Sequence, residues 1–376
     1  MLSQKLPVFN KSVTVSNKRV IVRVDFNVPL EHGGIADDYR IIKTLPLLEQ
    51  LRSGGARLVL LSHLTEKKEH RSFAALVDEL NRIVGLGMVF AKSVEEARQN
   101  GADVVLLENL RVFPGEERND VVFAEELSTL GDIFINEGFS QSHRPYASIM
   151  HLPKLLPSYA GPLFYEEVMK LEEALNPERP FMLVLGGVKF ATKVGVLEHF
   201  MKTADKIFVG GALANTFLAA KGHRVGASPV EKDAFEYVRE MFLNSPNLML
   251  PSDVRVGENK TLGIGNIGER DVVYDIGPAS SDALGRVLGD MKMILWNGPL
   301  GCVEEGYGQG TANLLSVLAA TKAKVIIGGG DTLAVVRNQG LENRFYHLST
   351  GGGAMLEFLA KGTLPGIEAI LDNTKD

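Results

Sequence analysis

The chain has a single cysteine, Cys302, among its 376 residues. An internal disulfide framework is therefore excluded, and so is any metal site built from several thiolates. Long apolar runs are also missing. The nearest to one, residues 207–220, is about two-thirds of the ~20 residues that cross a bilayer, and Gly210 and Gly211 interrupt it. No charged segment leads into an apolar stretch of signal-peptide length at the N-terminus, so a cytoplasmic protein without a membrane partner is expected. Positive charge is in deficit, the net being −6. Phosphate backbones demand a basic face, which argues against nucleic acid as a partner but leaves room for a local basic pocket. Several motifs are absent as well. There is no G-x-x-x-x-G-K-[ST] loop, no G-x-G-x-x-G after the first strand, no H-E-x-x-H and no G-x-S-x-G elbow. No repeat of 20–50 residues and no low-complexity tract stands out.

What is present is the mixture of a globular protein, 45% hydrophobic and 23% charged, too long for one comfortable core. Short runs rich in Val, Ile and Leu recur at 20–24, 57–61, 88–90, 104–107 and 133–135, then at 182–185, 206–209, 248–250, 293–296 and 325–327. Most are followed by a helix-like stretch. Continuous apolar strands alternating with helices imply parallel sheets covered on both faces, and two such series imply two doubly wound α/β domains. The segment 151–161 carries Pro153 and Pro157, with Pro162 next. After it, residues 166–175 have the spacing of an exposed connecting helix, with Val168, Leu171 and Leu175 on one face, until Asn176-Pro177 stops it. The expected division is a first domain over 1–160, a connecting helix over 161–175 and a second domain over 176–360.

Thirty-nine glycines are about a tenth of the chain, above the usual ~7%. Clusters follow the strand-like runs of the second half at 186–187, 210–211, 328–330 and 351–353. One such pair needs no explanation beyond a tight turn. Four clusters favour nucleotide binding, because bare backbone N–H groups between strand ends and helix N-termini close on phosphate oxygens. Asp331 and Thr332 extend one cluster, as a candidate metal ligand and a candidate phosphate donor. Ser349 and Thr350 precede another, where a hydroxyl N-cap is expected. Lys189 and Lys193, four apart, would share a helical face. Trp296-Asn297-Gly298-Pro299 ends a strand and leads to Glu304, a candidate ribose acceptor. In the first half, alternation along 23–29 would put Arg23, Asp25 and Asn27 on one side. Arg40, His63, Arg111 and Arg144 each follow a strand or open a helix. Any one of them fits a solvated surface charge; four at the ends of one sheet favour a pocket for a small polyanion.

These motifs resemble those of phosphoglycerate kinases, in the same order: 23–29, Ser62-His63-Leu64, Leu107-Glu108-Asn109-Leu110-Arg111, 296–301, 328–332 and 349–353. The likeness runs from about residue 10 to 370. It implies a magnesium-dependent, monomeric enzyme that passes a phosphoryl group between 1,3-bisphosphoglycerate and ADP, giving 3-phosphoglycerate and ATP. By the same resemblance, Asp25 and Asn27 hold the substrate hydroxyl and Arg40 the reacting carboxyl. His63, Arg111 and Arg144 take the distal phosphate, with Phe26, Leu64, Thr65 and Glu66 in the same motifs. Gly187, Lys193, Asn297, Pro299, Glu304, Gly329, Gly330, Asp331 and Thr332 would bind the nucleotide, Asp331 through Mg2+. Lys189 and the amides of Gly351, Gly352 and Gly353 would meet the transferred group, and residues 361–376 would return to the first domain. Three positions depart from the family. Thr65-Glu66-Lys67 stands where Gly-Arg-Pro is usual, Asn136-Glu137 where Asn-Asp is usual, and Thr192 where many members have Asp. A catalytically weakened relative that senses a phosphometabolite or a nucleotide is the alternative, supported by Glu66 alone. For a purely structural role the sequence offers nothing.

Overall fold

The computed structural model describes residues 1–66, 69–257 and 260–373, without the side chains of Glu66, Glu69 and His70. Lys67 and Lys68, which follow Glu66, lie outside the described residues. In the first half, strands Arg19–Arg23 (β1), Arg57–Leu61 (β2), Val89–Ala91 (β3), Val104–Leu107 (β4), Ile133–Asn136 (β5) and Ser158–Ala160 (β6) form one sheet. Their order is β6-β5-β1-β2-β4-β3, and every pairing is parallel. Burial follows from the pleat, since successive side chains face opposite ways. Val20, Val22, Leu58 and Leu60 pack with Leu47, Leu48 and Leu51 of helix Tyr39–Ser53 (α1). Ile21, Val59 and Leu61 pack on the other face with Phe123 and Leu127. Each such side chain withdrawn from water contributes about 1.5–3 kcal/mol, which is why these strands read as unbroken apolar runs.

The second half repeats the plan. Phe181–Leu185 (β7), Lys206–Val209 (β8), Leu248–Met249 (β9), Met293–Asn297 (β10), Lys324–Gly328 (β11) and His347–Ser349 (β12) form a second parallel sheet. The order is β9-β8-β7-β10-β11-β12. Trp296, fully buried, packs in its core with Met182, Ile294 and Ile327, as its apolar strand context suggested. The chain switches from one side of the starting strand to the other between β1 and β5 in the first sheet and between β7 and β10 in the second. Ligands of doubly wound sheets bind outside the carboxyl ends of the strands at such a switch point.

Both edge strands β6 and β12 were illegible as strands. Ser158-Tyr159-Ala160 and His347-Leu348-Ser349 are not runs of Val, Ile and Leu, and β6 lies in the proline-marked stretch. A small antiparallel sheet, Asp253–Arg255 with Thr261–Gly263 and Asp275–Ile276, was also not anticipated. The described residues fall into two compact units, 1–169 with those from 363 onward, and 170–362. The division lies inside helix Pro162–Leu175 (α2), close to the anticipated 161–175 and less exposed than a plain linker. Phe164, Val168, Leu171 and Ala174 are buried, and so are Glu167 and Glu172. At its start, Glu137 accepts hydrogen bonds from Leu163 N (3.1 Å) and Phe164 N (3.4 Å). The last helix, Pro365–Asp372, packs on the first unit, with Gly366 N donating to Ser142 O at 2.8 Å.

Candidate active site

Beyond β1 the backbone leaves the sheet, and the Asp25–Asn27 turn gathers polar groups from three other strand ends. Asp25 Oδ2 pairs with Arg40 Nη1 at 3.0 Å and accepts from Ser140 Oγ at 2.6 Å. Arg40 is the second residue of α1 and also donates to Asn27 O (3.2 Å). Asn27 Oδ1 accepts from Thr65 N at 2.9 Å. The Thr65 hydroxyl in turn accepts from Arg111 Nη1 (2.9 Å), and Arg111 Nη2 donates to Gln141 Oε1 (2.9 Å). Arg111 also lies 3.5 Å from Glu117 and faces the Tyr146 ring. One continuous polar chain thus joins Asp25, Asn27, Arg40, Thr65 and Arg111. Each fork end of Arg111 rests on a neutral oxygen, a weaker partner than a phosphate would be. Asn109 secures the turn through Leu64 O and Arg71 O, both at 2.7 Å.

The other expected residues divide. His63, Phe26 and Leu64 are buried beneath this cluster, whereas Arg144 is exposed and joined to it through its backbone, its N–H donating to Gln141 O (2.9 Å) and its carbonyl accepting from Tyr146 N (3.0 Å). Arg23 does not share the side of Asp25 and Asn27. The strand ends at Arg23, whose guanidinium is buried and donates to Val24 O (3.0 Å) and Ser148 Oγ (3.3 Å). Ser148 is itself tied to the buried Glu116 (2.5 Å). Burial lowers the Arg23 pKa and raises that of Glu116, and each charge opposes the other's shift. A buried charge needs such a counterpart, so Arg23 belongs to the scaffold. Ser140 and Gln141 were missed; uncharged residues in a short helical turn give no signal without their neighbours.

In the second unit a cavity of about 410 Å³ opens at the carboxyl ends of β7, β8, β10 and β11. Its walls include Gly187, Lys189, Lys193, Asn297, Pro299, Glu304, Gly329 and Asp331, all expected from the sequence. Backbone contacts close the turns on one another, Gly187 N donating to Pro299 O at 2.7 Å and Gly211 N to Leu300 O at 3.1 Å. Gly329, with φ +99°, caps helix Gly330–Asn338, and Gly352, with φ +54°, caps helix Gly353–Lys361. Side-chain-bearing residues rarely adopt either conformation. Neither cap supplies a side-chain acceptor, and N–H groups at such a helix start can face an anion, although in the second helix Ala354 N already donates to Gly351 O (3.0 Å). The expected hydroxyl cap is thus not used. Ser349 ends β12, and its Oγ accepts from Gly351 N (3.2 Å).

Lys189 and Lys193 are likewise not on a helical face. The helix here is Val194–Met201, and Lys193 is its cap residue. Both lysines still reach the cavity from the preceding turn, where Lys193 is 7% exposed. Burial holds the Lys193 ammonium below the usual lysine pKa, opposed by the carboxylates of Asp331 and Glu231. Thr332 is fully buried behind Gly329. Among the described residues, its Oγ1 has no hydrogen-bond partner. Gly330, Thr332 and residues 351–353 lie outside the cavity's own lining. The 351–353 turn follows β12, the neighbour of β11, and Met355 just beyond meets Asn297 Nδ2 through its Sδ at 3.7 Å. The remaining wall, with Pro229, Val272, Val273 and Tyr274, was not anticipated. Tyr274 stacks on Tyr307, ring centroids 4.2 Å apart. Another cavity, about 540 Å³ between helices Pro278–Leu288 and Gln309–Ala320, has neither the lysines nor the glycine turns.

Two parallel α/β units, one with an arginine cluster at its strand ends and one with a glycine-walled cavity carrying lysines and a carboxylate, describe a phosphoryl-transfer enzyme. The model of the family described as phosphoglycerate kinase matches residues 10–362. A phosphoglycerate kinase of Thermus thermophilus is 41% identical, over 94% of this chain and 97% of that one. The Coprothermobacter proteolyticus enzyme is 40% identical, over 96% and 98% respectively. Among solved structures, phosphoglycerate kinase from Coxiella burnetii superposes with a TM-score of 0.85 at 32% identity, covering 98% of this chain and all of that one. That from Pyrococcus horikoshii OT3 gives 0.88 at 26% identity, covering 98% and 99%. The chain belongs to the phosphoglycerate kinase family. The resemblance of its motifs, and the two-domain α/β class, are thereby borne out.

Proposed function

We propose that this enzyme carries out the glycolytic step in which 1,3-bisphosphoglycerate and ADP become 3-phosphoglycerate and ATP, reversibly, as a cytoplasmic monomer. The observation that carries the residue assignment is the convergence of Lys189, Lys193, Glu304 and Asp331 on one glycine-walled cavity. The nucleotide belongs there, its phosphates toward the lysines and Gly329, its ribose toward Glu304, and its base on the apolar wall. The buried Thr332 hydroxyl is available to a phosphate. Phosphoglycerate belongs on the first unit. Asp25 and Asn27 take its hydroxyl, Arg40 its reacting carboxyl, and His63, Arg111 and Arg144 its distal phosphate.

A magnesium ion suits the donor set. Such an ion would keep several waters and be held by substrate phosphates with one or two carboxylates, and Asp331, beside Gly329, is one of the carboxylates in the cavity wall, with Glu304 and Glu305. When bound, the ion neutralises phosphate charge. The protein's own part is alignment and charge. Arg40 stabilises the carboxylate that is freed as the acyl phosphate breaks, while Lys189 and the amides of 351–353 stabilise the migrating group. A loose transition state asks for no covalent intermediate and no general base. The two sites are on different units, so we include a closing motion that brings the reacting atoms within about 3–3.5 Å. A coupled assay of ATP formation from 1,3-bisphosphoglycerate and ADP tests the reading. Folded protein that binds both ligands without forming ATP would leave the binding-only alternative.

A further inference from the structure

The turn carrying Lys189 and Lys193 is exposed along much of its length, and neither lysine sits on a regular element. Val188, Lys189, Ala191 and Thr192 face solvent. Something has to hold this turn against the cavity, and the fastening is Phe190. Its ring is buried against Phe217, Tyr237 and Phe242, with centroids 6.1–6.4 Å away. Its carbonyl accepts from Lys193 N (2.8 Å) and Val194 N (3.0 Å), forming the turn that presents Lys193. Its N–H donates to Glu231 Oε1 at 2.5 Å. Glu231 is fixed in its own right, since its N–H donates to the buried Thr216 hydroxyl (3.1 Å) on helix Gly211–Ala220. The same helix opens at the cavity with Gly211 and Ala212. From 41 residues along the chain, a carboxylate thus clamps the lysine turn to the helix that forms the opposite wall.

We infer that Glu231 is a positioning residue for phosphoryl transfer: it clamps Phe190 and so sets Lys189 and Lys193 at the nucleotide phosphates. The inference rests on the placement of the nucleotide in this cavity. Reach and charge are separable here. Glu231→Gln keeps an oxygen at the same distance and loses the charge, whereas Glu231→Asp keeps the charge and falls short by one methylene. A hydrogen bond accepted by a carboxylate is worth enough that losing it costs about tenfold or more in whatever depends on it.

The test measures ADP affinity by calorimetry, steady-state constants in the ATP-consuming direction, and thermal melting, for the wild type and both variants. Glu231→Asp is expected to weaken ADP binding and raise KM for ATP about tenfold, with KM for 3-phosphoglycerate unchanged. Glu231→Gln is expected to stay within about threefold of wild type in both. The inference is overturned by the reverse ranking, which would make charge rather than reach the requirement. It is equally overturned if both variants melt lower yet keep wild-type nucleotide constants, since Glu231 would then be a fold contact only. Should Glu231→Asp not fold, Thr216→Val loosens the same clamp from its other end and is held to the same nucleotide-specific loss. Wild-type protein without ADP binding would instead remove the placement on which the inference rests.

Discussion

Arg40 is placed by one ion pair. Its guanidinium meets Asp25 at 3.0 Å and remains partly open, with 29% of the side chain exposed. Arg40→Ala therefore removes a cation that, under the proposed assignment, touches the reacting carboxyl, without dismantling the sheet beneath it. The expected result is a fall in kcat of roughly 10²–10³-fold, the usual cost of one electrostatic donor, with ATP KM little changed. Near-normal kcat would make Arg40 an ordinary surface charge. Glu137 is the opposite kind of residue. It is buried at the start of α2, and desolvation raises its pKa to about 8 against 4.5 in the unfolded chain, with Glu166 adding to the rise. An acid with a raised pKa binds its proton more tightly in the fold. Its contribution to stability is fully present below about pH 4.5 and is lost as pH climbs toward 8. Glu137→Gln keeps an acceptor for Leu163 N and Phe164 N, so its melting temperature should decline less from about pH 5 to 8 than that of the wild type. Parallel curves would show that Glu137 ionises without penalty.

At the scale of elements, the proposed nucleotide site depends on helix starts held at unusual backbone angles. Gly329 sits at φ +99°, and a Cβ there would come within 3.3 Å of Gly298 N. Gly329→Ala strains the turn that points the first amides of Gly330–Asn338 at the cavity. ATP KM should rise about tenfold or more while 3-phosphoglycerate KM holds, as each lost anion contact costs on the order of 1–2 kcal/mol. Equal loss for both substrates in kinetic assays would mean that the substitution acts on folding instead. The contrast with β6 and β12 is instructive. Those edge strands matter to the sheets but carry three residues each, so their identity comes from pairing and not from their own pattern.

For the whole molecule, the units 1–169 with 363 onward and 170–362 each hold one half of the chemistry under the proposed assignment. Closure follows as an expectation, since neither half alone meets an in-line geometry and water would hydrolyse an exposed acyl phosphate. Small-angle scattering should give a smaller radius of gyration with 3-phosphoglycerate and a non-reactive ATP analogue together than with either alone. An unchanged radius at saturation of both would exclude closing as a step.

The alternation of apolar runs, legible without coordinates, determined the class of fold and the two-sheet plan, while the family came from the resemblance of its ordered motifs. Such signals are local: a strand buried on both faces must be apolar throughout, and a turn at positive φ must nearly always be glycine. The same logic pointed to Gly187, Lys193, Asp331, Asp25 and Arg111. It did not reveal that the Arg23 guanidinium is buried, because burial of a charged side chain leaves no mark in a string of letters. It erred for the cap before 353–361, because a hydroxyl a few residues upstream spent itself on a strand end. Only the tertiary structure brought Ser140 to Asp25, Gln141 to Arg111, and Glu231 to Phe190. These pairs are 115, 30 and 41 residues apart, and nothing in the short-range pattern encodes them. A polar side chain acquires its partner from the crossing of elements, which depends on how both sheets pack their helices.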